Sequence, residues 1–282
     1  MNTATQLRFA PALGEWVAQH LAQGQAPAAL VDAMCERQVA PAAARAIVDA
    51  FVLARERGAP LPVDTVAVGG TRLADGPVIE VDERRIRVAM RADTPVLAVL
   101  QGVLDADECE ELIALARPRL KPSTLVDPMS GRDVQSGLRA SLGMFFRPAE
   151  TPLIARLDRR LAALMGVPAS HGEGLQLLHY PAGAGSAPHF DFLQPVNEAN
   201  RASIARSGQR VSTLVCYLNE VAGGGETDFP QRGLQVTPQR GNAVYFEYDG
   251  LDERSLHASR AVTEGEKWVA TKWVRDRPFV SA

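Results

Sequence analysis

What most restricts the fold of this chain is its last third. Beyond about residue 173, short apolar runs alternate with Gly/Pro-rich turns and leave little room for long helices. The clearest strand candidates are residues 175–180, 211–218, 243–248 and 268–274, each of strand length and bounded by turn residues. Upstream, residues 78–81 and 86–90 read as short strands, followed by a further apolar run at 95–104. Asp105 then opens a helix with Glu108 as its capping-box partner and an apolar face of Cys109, Leu112, Ile113 and Ala116. A second helix begins at Thr151-Pro152, carries Leu153, Leu157, Leu161 and Leu164 on one stripe, and stops at Gly166. Helices followed by many short strands predict an α+β chain whose core is a double-stranded β-helix, or jelly roll, buttressed by helices.

The first 58 residues follow a different pattern and read as a small all-helical region. Trp16, Val17 and Leu21 fall at helical spacing, and Pro27 and Pro41 sit where a first-turn proline is tolerated. Ile47, Val48, Phe51 and Val52 form one apolar stripe that Gly58 ends. Residues 59–77 mix proline and glycine without helical periodicity and read as a linker or a loosely packed crossing, so the jelly-roll domain is expected over 78–282. No internal repeat is visible. Between Asp191 and Arg210 there is no strong apolar period, which predicts a long loop of the kind that serves as a lid.

Composition narrows the function classes. A net charge of −3 carries no clustered basic excess, so nucleic acid is not expected as a partner. The chain lacks an apolar run long enough for a membrane span and lacks the sequence pattern of a secretory leader. Its three cysteines, Cys35, Cys109 and Cys216, have neither metal-ligand nor redox-motif spacing, so they read as reduced thiols and the expected location is cytoplasmic.

The chemistry-bearing residues lie in the strand-rich part. In PHFDF, His189 and Asp191 are two apart, and on a strand both side chains reach one face. An H-x-D pair alone is common by chance; a third ligand must come from elsewhere, and His257 in SLHAS adjoins a strand-like stretch. Two histidines and a carboxylate on one face leave positions open on an octahedral iron, as non-haem Fe(II) oxygenases require. Lys267 follows in EGEKWVATKWV, on an otherwise apolar strand. A lysine there can lie along a solvated face, or it can supply the cation that the far end of a chelating dicarboxylate needs. Thr227 in GGGETDFP and Tyr180 in LQLLHYPAG would add hydroxyl bonds to that carboxylate.

The runs LQLLHYPAG…PHFDF, QRVSTLVCYLNEVAGGGETDFP and SLHASRAVTEGEKWVATKWVR resemble the prolyl 4-hydroxylase branch of the 2-oxoglutarate/iron(II) dioxygenases. Upstream, VLQGVLDADECEELIALARPRLKPSTLVD and GLRASLGMFF look like that family's N-terminal helix and the strand leading into its core, so the resemblance covers roughly residues 95–275. It implies that His189, Asp191 and His257 bind Fe(II), that Lys267, Tyr180 and Thr227 hold 2-oxoglutarate, and that Trp273 lines the pocket. By the same resemblance Arg210 holds a peptide substrate and Glu173 belongs to the substrate groove. The implied reaction consumes O2, with ascorbate as reductant, and hydroxylates a proline in a peptide or protein, releasing succinate and CO2. Two positions depart from the family: Ser186 stands where relatives often carry a substrate-facing tyrosine, and Arg275 where some carry histidine. The alternatives are the same chemistry on another residue or a small molecule, and a low-turnover 2-oxoglutarate or metal sensor.

Other residues stay outside this scheme. Strand alternation sends His179 away from Tyr180; His20 and His171 have no evident metal partner. The acidic run 107–111 suits a first helical turn, and the glycines 223–225 suit a tight turn, since no phosphate-loop pattern follows them.

Overall fold

The computed structural model describes residues 5–68, 71–93, 95–122, 125–126, 133–134, 141–248 and 253–281. Parts of the upstream family-like runs, at 123–124, 127–132 and 135–140, lie outside the described residues. The chain divides into two units, residues 1–74 with 162–169 and residues 75–161 with 170–282.

In the first unit, strand β1 (Thr5–Arg8) precedes helices α1 (Pro11–Ala22), α2 (Pro27–Glu36) and α3 (Pro41–Glu56), and strand β2 (Thr65–Val68) follows them. Each helix opens on a proline, whose absent N–H has no intrahelical partner at that position. Val17, Leu21, Leu30, Met34, Ile47, Val48 and Phe51 close the core between the helices. The helical reading did not anticipate the two strands, and β2 falls within the stretch read as linker. They pair antiparallel, with Leu7 opposite Val66. Four residues per strand, with the partner far along the chain, are too few to register as a period.

The next elements are strands β3 (Val78–Val81), β4 (Arg84–Asp93) and β5 (Val96–Gln101), helix α4 (Ala106–Ala116) and strands β6 (Lys121–Pro122), β7 (Leu125–Val126), β8 (Asp133–Val134) and β9 (Leu142–Phe145). Helix α5 (Pro152–Leu164) precedes β10 (Gln176–Tyr180), β11 (Ser186–His189), helix α6 (Glu198–Ser207) and β12 (Arg210–Tyr217). The chain continues through β13 (Gly223–Gly224), β14 (Thr227–Phe229), β15 (Leu234–Val236), β16 (Ala243–Glu247), β17 (His257–Ser259), β18 (Val262–Glu264) and β19 (Lys267–Arg275).

A nine-stranded antiparallel sheet runs β3-β4-β5-β16-β12-β19-β10-β9-β6, and a four-stranded one runs β11-β17-β14-β15. Leu178, Val215, Phe246 and Val269 of the larger sheet share a core with Phe229 and Val236 of the smaller one. Two antiparallel sheets joined through one core make the double-stranded β-helix. Every residue of β19 is buried, and α5 packs on the face of the large sheet that the small sheet leaves open. Lys272 of β19 donates to Asp158 Oδ1 of α5 at 2.6 Å. Arg160 of α5 donates to both carboxylate oxygens of Glu108 on α4, at 2.9 and 2.8 Å. Helix α4 opens with the expected reciprocal Asp105–Glu108 cap.

The stretch between Asp191 and Arg210 is not a plain loop, because it carries α6. Asn197 caps this helix by accepting the Asn200 N–H at 2.8 Å, and Gly208, at φ +76°, ends it. Arg275 donates to Gly208 O and Arg277 to Ile204 O, each at 2.6 Å. Leu193 and Gln209 exchange two bonds of 2.8 Å across the base of the segment. The segment is thus bonded to the rest of the domain at its helix and at its base.

Candidate active site

Antiparallel register places His189 of β11 directly opposite His257 of β17, with ring centroids 4.4 Å apart. His189 Nδ1 bonds to Ala187 O at 2.9 Å and His257 Nδ1 to Ser255 O at 3.0 Å. A carbonyl only accepts, so each Nδ1 carries the proton and each Nε2 keeps its lone pair for a metal. Strand alternation does not deliver Asp191, since β11 ends at His189 and the chain bends at Asp191. The bend brings Asp191 Oδ1 to 3.8 Å from His189 Nε2 and Oδ2 to 3.5 Å from His257 Nε2. Thr213 donates its hydroxyl to Asp191 Oδ2 at 2.8 Å. Burial alone would raise the Asp191 carboxyl, but the positive charge that His257 and His189 carry when protonated, with that of Arg210, outweighs it and holds it at about 2. One ligand atom from each of the three residues lies within 4.8 Å of the others. Two neutral imidazoles and an ionised carboxylate on one face suit a divalent first-row metal with open positions.

The same cavity, about 420 Å³ with its mouth, is lined by Tyr180, Thr227, Lys267 and Trp273 together with the three candidate ligands. Lys267 pairs across the sheet with Tyr180 and is only 2% exposed. Its ammonium donates to Ser259 Oγ at 2.8 Å and lies 5.4 and 5.8 Å from the Tyr180 and Tyr217 rings. Burial pulls this lysine down to about 7, against a weaker pull upward from Glu226. Among the described residues no carboxylate pairs directly with this lysine, and a bound carboxylate would supply the partner charge. Thr227 accepts the Tyr217 hydroxyl at 2.8 Å, which leaves the Thr227 proton to be donated elsewhere. Gly224, at φ +71°, turns the chain before Thr227, where a Cβ would come within 2.2 Å of Ala261 O.

A model of the 2OG-Fe(II) oxygenase superfamily matches residues 175–275. Prolyl 4-hydroxylase 1 of Arabidopsis thaliana is 39% identical over 203 residues, covering 65% of this chain and 70% of that protein. The chain belongs to the prolyl 4-hydroxylase family of 2-oxoglutarate/iron(II) oxygenases. Probable prolyl 4-hydroxylase 3 of the same plant is 38% identical, covering 64% of this chain and 69% of its own. A viral collagen prolyl hydroxylase from Paramecium Bursaria Chlorella virus-1, solved with 2OG, covers 63% of this chain and 94% of its own, at 26% identity and a TM-score of 0.49.

In this prolyl 4-hydroxylase family member, the residues that the sequence resemblance assigns to a substrate groove are bonded to one another. Arg210 donates to Glu173 at 2.7 and 2.9 Å and to the Asp191 carbonyl at 3.0 Å. Its guanidinium lies 4.0 Å from the Trp273 ring centre. Arg275 donates to the same Glu173 at 2.5 Å. Burial would raise the Glu173 carboxyl, but the two arginines hold it below the usual range. Ser186 lines the cavity and accepts the Ser259 N–H at 2.9 Å. Sequence reasoning missed Thr213, Tyr248, Tyr217 and Ser259, all of which orient the functional residues. Tyr248 shares a 2.5 Å hydrogen bond with Thr213. Strand alternation within VSTLVCY, and in the H-x-S step from His257, was the available signal.

The remaining histidines are engaged away from the metal cluster. His179 bonds Glu266 at 2.7 Å and stacks on Trp268. His20 bonds Trp16 O and His171 bonds Arg275 O. Burial pushes the Cys109 thiol up to about 11 and Cys216 higher, so neither is a nucleophile.

Proposed function

We propose that this oxygenase hydroxylates a proline within a peptide or protein, with His189, Asp191 and His257 as iron ligands and Lys267 as the anchor of 2-oxoglutarate. The observation that carries the reading is one cavity holding both the His-Asp-His cluster and a buried lysine that forms no ion pair among the described residues. When bound, ferrous iron and 2-oxoglutarate supply the oxidising power that splits O2 between the substrate and succinate, with loss of CO2.

The chain's own contribution is orientation. Carbonyls of Ala187 and Ser255 fix the two imidazoles in the metal-binding tautomer. Thr213 and Arg210 hold Asp191 from its side chain and its backbone. Lys267, Tyr180 and Thr227 present a cation and two hydroxyls to the distal carboxylate, and the apolar lining of Leu178, Val215 and Val269 excludes water around it. The relatives named as prolyl 4-hydroxylases support proline as the target. Arg210 contributes to peptide binding through the stack it forms on Trp273, since its bonds to Glu173 and Asp191 occupy much of its donor set. Ascorbate as reductant and a cytoplasmic location belong to the same proposal, and the three free cysteines support a reducing compartment.

The test is mass spectrometry of proline-containing peptides incubated with the protein, Fe(II), ascorbate and 2-oxoglutarate in air. Addition of one oxygen atom to proline, dependent on 2-oxoglutarate, is expected. Succinate formation without any oxygenated peptide would transfer the reading to another substrate.

A further inference from the structure

Among the described residues, the only aromatic ring in the set of exposed large hydrophobic side chains is Phe145, which is 52% exposed. Its place in the sheet is specific. Phe145 of β9 pairs with Gln176 of β10, Gln176 with Thr271 of β19, and Thr271 with Val215 of β12. Residues directly opposite in an antiparallel pair point to the same face. Gln176, Thr271 and Val215 all line the active-site cavity, so Phe145 continues the same transverse row onto the rim. Its ring lies 6.3 Å from Trp273, centre to centre, and Trp273 lines the cavity and carries Arg210 on its ring. Arg119 donates to the Phe145 carbonyl at 3.3 Å and to Glu150 at 2.6 Å, which holds the backbone from outside.

We propose that Phe145 is a specificity-determining residue: with Trp273 it forms an aromatic wall at the cavity rim against which an apolar residue flanking the target proline packs. The proposal rests on the peptidyl-proline reading above. An exposed ring gains little in water, whereas covering it with a pyrrolidine or branched side chain removes apolar surface from solvent on both partners. A glycine beside the target would leave the wall uncovered. Strand β9 sets where this flanking residue lies, and the metal cluster sets where the target lies.

The experiment compares two peptides, one with the target proline flanked by apolar residues and one flanked by glycine, on the wild-type enzyme, Phe145→Ala and Phe145→Trp. For Phe145→Ala, KM for the apolar-flanked peptide should rise about tenfold, as for loss of one partly desolvated aromatic contact. Its kcat and its 2-oxoglutarate KM should stay at wild-type values, and Phe145→Trp should restore the peptide KM. An unchanged KM for the apolar-flanked peptide would overturn the assignment. So would an equal rise for the glycine-flanked peptide, or a parallel rise in the 2-oxoglutarate KM, since either would mark a general structural effect. If the wild-type enzyme oxygenates neither peptide while still forming succinate, the proline reading fails, and this inference fails with it.

Discussion

Lys267 is the residue at which burial and function pull hardest against each other. An ammonium placed in a cavity among Val269, Leu178 and two tyrosine rings is held at about 7, well below its usual range. It must carry its proton to pair with a carboxylate, so 2-oxoglutarate binding takes up a proton wherever the empty site has lost one. Affinity should therefore be greatest below about pH 7 and fall as pH rises, by up to about tenfold per unit in the alkaline limit. Titration calorimetry with Mn(II) in place of iron, in two buffers of different ionisation enthalpy, would register that proton uptake above pH 7; buffer-independent heats would contradict it. Lys267→Ala removes the charge-assisted contact and should raise the 2-oxoglutarate KM roughly 10- to 100-fold. An unchanged KM would place the cosubstrate elsewhere. His257→Ala should abolish turnover and metal binding together, since it removes one of the clustered donors; equilibrium dialysis against Fe(II) or Mn(II) reads the binding, and a native circular-dichroism spectrum of the variant separates its loss from misfolding. Of these residues, the metal trio and Lys267 could be singled out from sequence. For Thr213 and Ser259, which hold Asp191 and Lys267, strand alternation gave the face but not the partner, because a serine or threonine shows its partner only after the strands pair.

Among the elements, β19 and α5 show what holds the cavity's floor in place. Lys272 points to the opposite face of β19 from Lys267, Thr271 and Trp273, where it donates to Asp158 of α5. Both side chains are buried. Asp158→Ala leaves the lysine charge uncompensated and should destabilise the fold by about 3–5 kcal/mol, read as a lower urea midpoint. A loss under about 1 kcal/mol would mean that the pair is screened like a surface bridge. The long strands and both amphipathic helices of this domain were legible, because each repeats an apolar residue several times at one period. Helix α6 was not, because it is polar around most of its surface and its only signal was the Asn197 cap. The pairs β13–β18 and β14–β15 are equally hidden: strands of two or three residues have no period to read.

For the molecule as a whole, ligand binding and stability are linked. If metal and 2-oxoglutarate bind the cavity that the folded sheets create, as proposed, both should raise the melting temperature, with about 2.7 kcal/mol of added stability at a hundredfold excess over Kd. Scanning calorimetry with and without Mn(II) and 2-oxoglutarate would show the shift, and EDTA should reverse it. No shift would mean that the cavity does not bind them as assigned. The sequence by itself determined the residue types, the order of the longer elements and the family to which the motifs point. Those properties are local: caps, periods and short motifs act within a few residues. Only the tertiary structure decided that His189 lies opposite His257, that Asp191 reaches them from a bend rather than from the strand, and that Glu173 is shared by two arginines. It also placed Phe145 in line with the cavity. Each of these depends on the register between strands far apart in the chain, and register is fixed by the packing of a whole face rather than by any one segment.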